Sequence, residues 1–279
     1  MSQNIFARNN VKVFGKGTQP MLFAHGFGCD QNMWRFLTPA FEDDYRIVLL
    51  DYVGAGKSDW SAYLPERYAS LEGYAQDILD VCEALDLSDL IFVGHSVSGV
   101  IGMLAAIREP ARFDRLILVS PSPRYLNDLP EYVSGFEKSD IEGLLQMMEK
   151  NYMGWAHYLA PVVMGAPQQP DLEQELEHSF CSTDPGIARR FAEVTFFGDN
   201  RDDLPRVPVP SLILQCTEDM LLIAPDQAEL WRQAGIMNQK LEQVAAARDC
   251  YQRFLDLVPE GPVANSVRTQ LEILKSMLN

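Results

Sequence analysis

Residues 90–102 read Leu-Ile-Phe-Val-Gly-His-Ser-Val-Ser-Gly-Val-Ile-Gly, and their order sets the architecture expected of the whole chain. The apolar run Leu90–Val93 predicts a buried parallel strand. It breaks at Gly94, and the small residues that follow predict a helix beginning just after Ser96. A serine at such a strand–turn–helix corner is held in strained backbone with its hydroxyl pushed outward, as a nucleophile requires. Small neighbours are needed because strand and helix pass very close there. The pattern is G-x-S-x-G with one departure: Ser98 occupies the last glycine position and the glycine follows at Gly99. The same spacing also suits a glycine-rich turn whose serine only caps the helix.

A second apolar run, Met21–Ala24, leads directly into His25-Gly26-Phe27-Gly28. Acyl transfer at a serine needs two backbone N–H donors for the developing oxyanion, one after the nucleophile and one from such an earlier loop. Val97 and Phe27 are the candidate donors. Further strands are expected at Val11–Phe14, Arg46–Asp51, Leu116–Ser120 and Ser211–Cys216, with helices at Asp30–Phe41, Ser70–Leu85 and Ser98–Arg108. This alternation predicts an α/β fold with a doubly wound, mostly parallel sheet. The segment Asp51–Ser58 carries two glycines and a Lys-Ser pair, but its spacing does not match a phosphate loop.

Residues 121–205 break the rhythm. Helical patterns at Asp140–Met153, Trp155–Met164, Asp171–Phe180 and Asp184–Phe197, separated by prolines and free of strands, predict a helical cap. An insertion there lies over the carboxyl ends of the strands, where Ser96 is exposed. Phe27, Tyr125, Phe136, Trp155, Phe191, Val194 and Phe196 are the expected lining of a small hydrophobic substrate pocket, although any one of them equally suits a place in the cap core. The expected divisions are residues 1–120 for the first part of the core, 121–205 for the cap, 206–220 for the last core strand and an acid, and 221–279 for a helical tail.

Several segments carry a family resemblance: Phe27-Gly28-Cys29-Asp30-Gln31, Asp51-Tyr52-Val53-Gly54, Gly94-His95-Ser96-Val97-Ser98, Ser122-Pro123-Arg124-Tyr125-Leu126-Asn127-Asp128 and Phe180-Cys181-Ser182-Thr183-Asp184-Pro185. Over about residues 9–219 the chain resembles α/β-hydrolases of the group containing the bacterial sigma-B stress regulator and the plant strigolactone and karrikin receptors. That group also carries serine where Ser98 stands. The resemblance implies that Ser96 is the nucleophile and Asp219 the acid that orients a catalytic histidine. It implies as ligand a small hydrophobic ester or lactone, with a signalling protein such as a phosphatase as partner. No histidine follows Asp219: the four are His25, His95, His157 and His178.

Beyond Met220 the pattern changes. Trp231, Gly235, Ala247, Tyr251 and Pro259 fall on the tetratricopeptide template, and Val263–Leu278 has helical spacing. The tail resembles the C-terminus of transglutaminase-like proteins that end in such repeats; any amphipathic hairpin shares the spacing. The expected fold is thus a hydrolase truncated at its last strand and followed by an all-α hairpin, as in a fusion.

Composition narrows the function classes. A net charge of −16 speaks against nucleic acid or an anionic membrane as partner. No run approaches the ~20 apolar residues of a membrane helix. The N-terminus lacks an apolar signal segment, and five scattered cysteines without C-x-x-C spacing predict reduced thiols in a cytoplasm rather than disulfides or a metal site. No cofactor is expected. Two functions are expected to compete: a serine hydrolase weakened or inactivated by the missing histidine, and a non-catalytic, ligand-sensing regulator of a stress-signalling partner.

Overall fold

A computed structural model describes residues 4–165, 168–215 and 244–278, together with residues 228, 231, 232, 234, 236 and 239. Asp219, Cys216 and the expected join at Met220 lie outside the described residues. The chain forms two compact units, Met1–Leu214 and Gln215–Asn279.

In the first unit the strands are β1 (Lys12–Phe14), β2 (Pro20–Ala24), β3 (Arg46–Leu49), β4 (Leu90–His95), β5 (Phe113–Val119) and β6 (Ser211–Leu214). They form one sheet in the order β1-β3-β2-β4-β5-β6. β1 pairs antiparallel with β3 and every other pairing is parallel. β2 is buried along its whole length and β4 up to its last residue, His95, as expected of continuous apolar runs at the centre of a parallel sheet. The register Ala24↔Gly94 ends both strands at the same level, so the loops carrying Phe27 and Ser96 leave the sheet side by side.

Helix α1 (Ile5–Arg8) precedes the sheet and was not expected from the sequence. α2 (Leu71–Ala84) buries Leu71, Tyr74, Ala75, Ile78, Leu79 and Cys82 from one amphipathic face. α3 (Val97–Arg108) is buried from Val97 to Ala106, because it runs beneath the sheet centre and carries only small and apolar residues. The helix expected over Asp30–Phe41 is absent. The segment instead forms two 3₁₀ turns, Gln31–Trp34 and Thr38–Ala40. Pro39 supplies the reason: it has no N–H and disfavours helical backbone at Thr38. Trp34 is buried and Leu37 is exposed.

Between β5 and β6 lie α4 (Lys138–Lys150), α5 (Tyr152–Met164), α6 (Pro170–Cys181) and α7 (Pro185–Phe196). Their common core includes Ile141, Leu145, Met148, Trp155, Phe180 and Ala192, and Phe27 packs against it from the loop after β2. In the second unit α8 (Val244–Leu257) and α9 (Pro262–Leu278) pack together through Ala247, Tyr251, Phe254, Val267, Leu271 and Leu274. Residues 228, 231, 232, 234, 236 and 239 are helical, and Ala234 is buried beside Trp231 and Cys250.

Candidate active site

Ser96 sits between β4 and α3 with φ 56° and ψ −122°, a conformation that non-glycine residues adopt only when their surroundings enforce it. The enforcing contacts are visible. Its N–H donates to Val119 O on the adjacent strand at 2.8 Å, and Gly99 N–H returns to Ser96 O at 2.9 Å. A Cβ on Gly94 would run into the Ser98 carbonyl and the Phe92 ring, which is why glycine precedes the corner. Val97 opens α3, so its N–H belongs to the first-turn donors that have no partner inside the helix.

The loop after β2 closes as a turn, with Cys29 N–H donating to Gly26 O at 3.3 Å. Gly28 holds φ +71° at the third position, where a side chain would be strained. The turn bond leaves the Phe27 N–H unused. Loop and elbow touch: a Cβ added to Gly26 would stand 3.5 Å from Ser96 Cβ and press on the His95 ring.

Two residues read from sequence only as loop and motif turn out to build this junction. His25 is fully buried and accepts from Tyr52 N–H on Nε2 at 3.2 Å. Nε2 therefore carries no proton, and Nδ1–H donates to Gly26 O at 2.9 Å. Burial pushes the His25 pKa down, keeping the ring neutral and fully engaged. Ser98 Oγ donates to His25 O and accepts from Tyr52 OH at 2.8 Å. The serine that departs from the glycine pattern is thus a buried strut between α3 and the loop after β2.

The Ser96 hydroxyl meets Tyr125 OH at 3.1 Å. Burial raises the Tyr125 pKa, so its phenol is neutral. Tyr125 also packs edge-on against Phe196 at 5.2 Å. Phe196 continues to Phe27 at 5.6 Å, and Phe27 contacts Trp155 at 6.2 Å and Phe191 at 5.7 Å. Five of the predicted lining rings therefore form one chain of contacts beside the elbow. Val194 packs against the main core beneath them. Phe136 does not join: it is 44% exposed and bridges to Leu126 at the cap rim. Phe180, read from sequence as a helix end and part of a matching segment but not as pocket lining, contacts Phe27 at 6.4 Å and Trp155 at 4.9 Å.

A cavity of about 20 Å³ lies beside Phe27, Tyr52, Tyr74 and Phe191, room for about one water molecule.

Neither cap histidine serves Ser96 as a visible partner. His157 is solvent-exposed, with Nδ1 facing Glu177 at 3.3 Å, and His178 is exposed on α6. His95 turns its Nδ1, buried and without a hydrogen-bond partner, toward Gly26. Asp219 lies outside the described residues, so its position relative to Ser96 is not part of this geometry.

A mostly parallel sheet, a serine elbow beside an oxyanion-type turn and a helical insertion between β5 and β6 define a class, and comparison agrees. A family profile described as alpha/beta hydrolase fold matches residues 19–251, and the chain belongs to this family. The match continues past Asp219, where the resemblance was expected to stop. Within the family, the chain is 41% identical over 212 residues to the karrikin insensitive 2 receptor CA of Petunia hybrida, covering 76% of this chain and 78% of that protein. It is 39% identical over 221 residues to the strigolactone esterase D14 of Arabidopsis thaliana, covering 79% and 82%. Among solved structures, a hydrolase from Oleispira antarctica is 47% identical, with a TM-score of 0.74 over 76% of this chain and 78% of that one. The chain is thus an α/β-hydrolase homologous to the strigolactone and karrikin receptors.

Proposed function

We propose that this protein is a serine hydrolase-like receptor for a small hydrophobic ester or lactone, with weak or no turnover. The observation that carries the reading is the Ser96 hydroxyl, held on a strained elbow at the edge of an aromatic chamber and paired with Tyr125 OH at 3.1 Å. In this reading Ser96 is the nucleophile, Phe27 and Val97 N–H groups hold the oxyanion, and Asp219 is the acid of an incomplete triad. Phe27, Tyr125, Trp155, Val194 and Phe196 form the ligand chamber, with Phe136 at its rim. A serine without an adjacent base is a poor nucleophile at neutral pH, and Tyr125 is a neutral phenol rather than a base. Losing one triad member leaves only the ~10³–10⁴-fold supplied by the oxyanion hole and binding.

The second reading is a ligand sensor that does not turn over. It is favoured by the same bond, since a ligand oxygen can replace Ser96 as the partner of Tyr125 without chemistry. On this reading the protein belongs beside the sigma-B stress regulator group, acts in a cytoplasm and docks a signalling protein such as a phosphatase. The helical residues beyond 220 are proposed to be a tetratricopeptide-like hairpin joined to a hydrolase core with cap. Trp231, Gly235, Ala247, Tyr251 and Pro259 are its template positions, and Trp231, Ala234, Ala247 and Tyr251 its proposed packing contacts.

A fluorophosphonate probe separates the readings. Labelling of Ser96 that is lost in Ser96→Ala supports the hydrolase. Thermal stabilisation by a small lactone without labelling supports the sensor, with about 2.7 kcal/mol expected at a ligand concentration 100 times Kd. Neither response sinks both.

A further inference from the structure

We propose that Ser179 is a positioning residue for the Phe27 amide, carrying the placement of cap helix α6 into the turn that presents it. The inference rests on the reading of Phe27 as an oxyanion donor. The turn is anchored differently on its two sides. Ahead of Phe27 the anchors belong to the core: His25 Nδ1–H and Cys29 N–H both bind Gly26 O, and Ser98 holds His25 O. Behind Phe27 the grip comes from the cap. Ser179 Oγ donates to Gly28 O at 2.7 Å. The neighbouring Phe180 ring fills the space where Gly28 lacks a Cβ, and its carbonyl accepts from Tyr152 OH on α5 at 2.9 Å.

The Phe27 peptide therefore spans two anchors, one fixed to the sheet and one fixed to the cap. Gly28 at φ +71° has no side chain to limit its rotation, so without the cap anchor the Gly28–Cys29 peptide is left to the long Cys29 N–H bond to Gly26 O at 3.3 Å and is less firmly held. A donor aimed at an oxyanion tolerates little swing, because its contribution depends on a 2.7–3.1 Å approach. Any ligand or partner that lifts α6 would then disturb the turn through the Ser179 hydroxyl and the Phe180 ring together.

Cys29, the last residue of the turn, reports on this directly. Cys29 is half-buried, and burial together with the Asp30 and Glu175 carboxylates pushes its thiol pKa up to about 12, which makes alkylation slow while the turn is closed. The experiment compares the full chain with Ser179→Ala and Ser179→Thr. Iodoacetamide uptake at Cys29 is read by peptide mass spectrometry, and fluorophosphonate labelling is read at Ser96. Ser179→Ala is expected to alkylate Cys29 about fivefold faster, the weight of one lost hydrogen bond. It is expected to label Ser96 about tenfold more slowly through the displaced donor. Ser179→Thr, which keeps the hydroxyl, is expected to restore both rates.

Unchanged Cys29 alkylation in Ser179→Ala overturns the proposal. So does faster alkylation with Ser96 labelling at the parent rate, since the turn then moves without consequence for the amide. Amide exchange at residues 27–29, compared with that of β4, separates local release from global loss of structure. Acceleration confined to the turn supports the proposal, and uniform acceleration overturns it. If the parent is not labelled at Ser96 at all, the nucleophile reading fails, and alkylation and exchange alone decide whether Ser179 holds the turn.

Discussion

Ser98 shows how a departure from a motif acquires a physical role. A glycine there would leave Tyr52 OH and His25 O, both buried, without their shared partner. Ser98→Ala removes that partner and is expected to cost about 1–3 kcal/mol, the penalty for stranding buried polar groups. Urea unfolding of the two proteins measures it, and a change within error would mean the strut is dispensable. His25 makes a second prediction. Its folded pKa lies below the ordinary 6.5, so the unfolded chain takes up a proton first as pH falls. The stability it contributes is therefore fully present above about pH 6.5 and is lost as pH drops from there toward the folded pKa. An NMR titration of the His25 ring should show it neutral at pH 6.5, and a midpoint at or above 6.5 would contradict its burial.

One helix carries a buried carboxylate held by two arginines. Asp77 on α2 is fully buried and faces Arg8 at 3.2 Å and Arg67 at 2.6 Å, and Asn9 reaches it at 3.3 Å. This cluster ties α1 to α2 and explains why a four-residue helix with little propensity of its own is ordered. Removing one member of a buried ion pair is far costlier than replacing the whole, because the partners remain uncompensated. Asp77→Ala is accordingly expected to destabilise by about 3–5 kcal/mol. Surface pairs such as Lys16–Asp43, largely exposed, should contribute less than about 1 kcal/mol. Chemical denaturation of Asp77→Ala and Asp43→Ala side by side tests the contrast, and equal losses would refute it.

For the molecule as a whole the central expectation is catalytic. With no histidine after Asp219 in the sequence and both cap histidines exposed, hydrolysis of p-nitrophenyl acetate should stay near background. His157→Ala and His178→Ala should then leave that background unchanged. Robust turnover that disappears in either variant would show a cap histidine reaching Ser96. The small cavity adds a second consequence. It offers about 20 Å³ beside Phe27, Tyr52, Tyr74 and Phe191, so its occupancy by a lactone requires movement of the rings that line it. Binding should therefore be slow relative to diffusion, and a stopped-flow tryptophan signal from Trp155 would report it.

Much of this protein was legible in its residues because the signals are local. An apolar run ending in glycine and serine specifies a buried strand turning into a helix, and Ser96 lies at that corner. The strand–helix alternation likewise specifies a parallel sheet, and the helical stretch 121–205 its insertion. Pro39 is an equally local signal, and it breaks the helix that the apolar spacing of Asp30–Phe41 suggests. What the tertiary structure alone decided are contacts between residues far apart in the chain. Ser98 meets the His25 carbonyl across 73 positions, Tyr125 meets Ser96 across 29, and Ser179 meets Gly28 across 151. No periodicity encodes such pairs. They exist because parallel strands bring distant loops to one edge of the sheet, and because a buried hydroxyl or carbonyl there must find whatever partner the packing supplies.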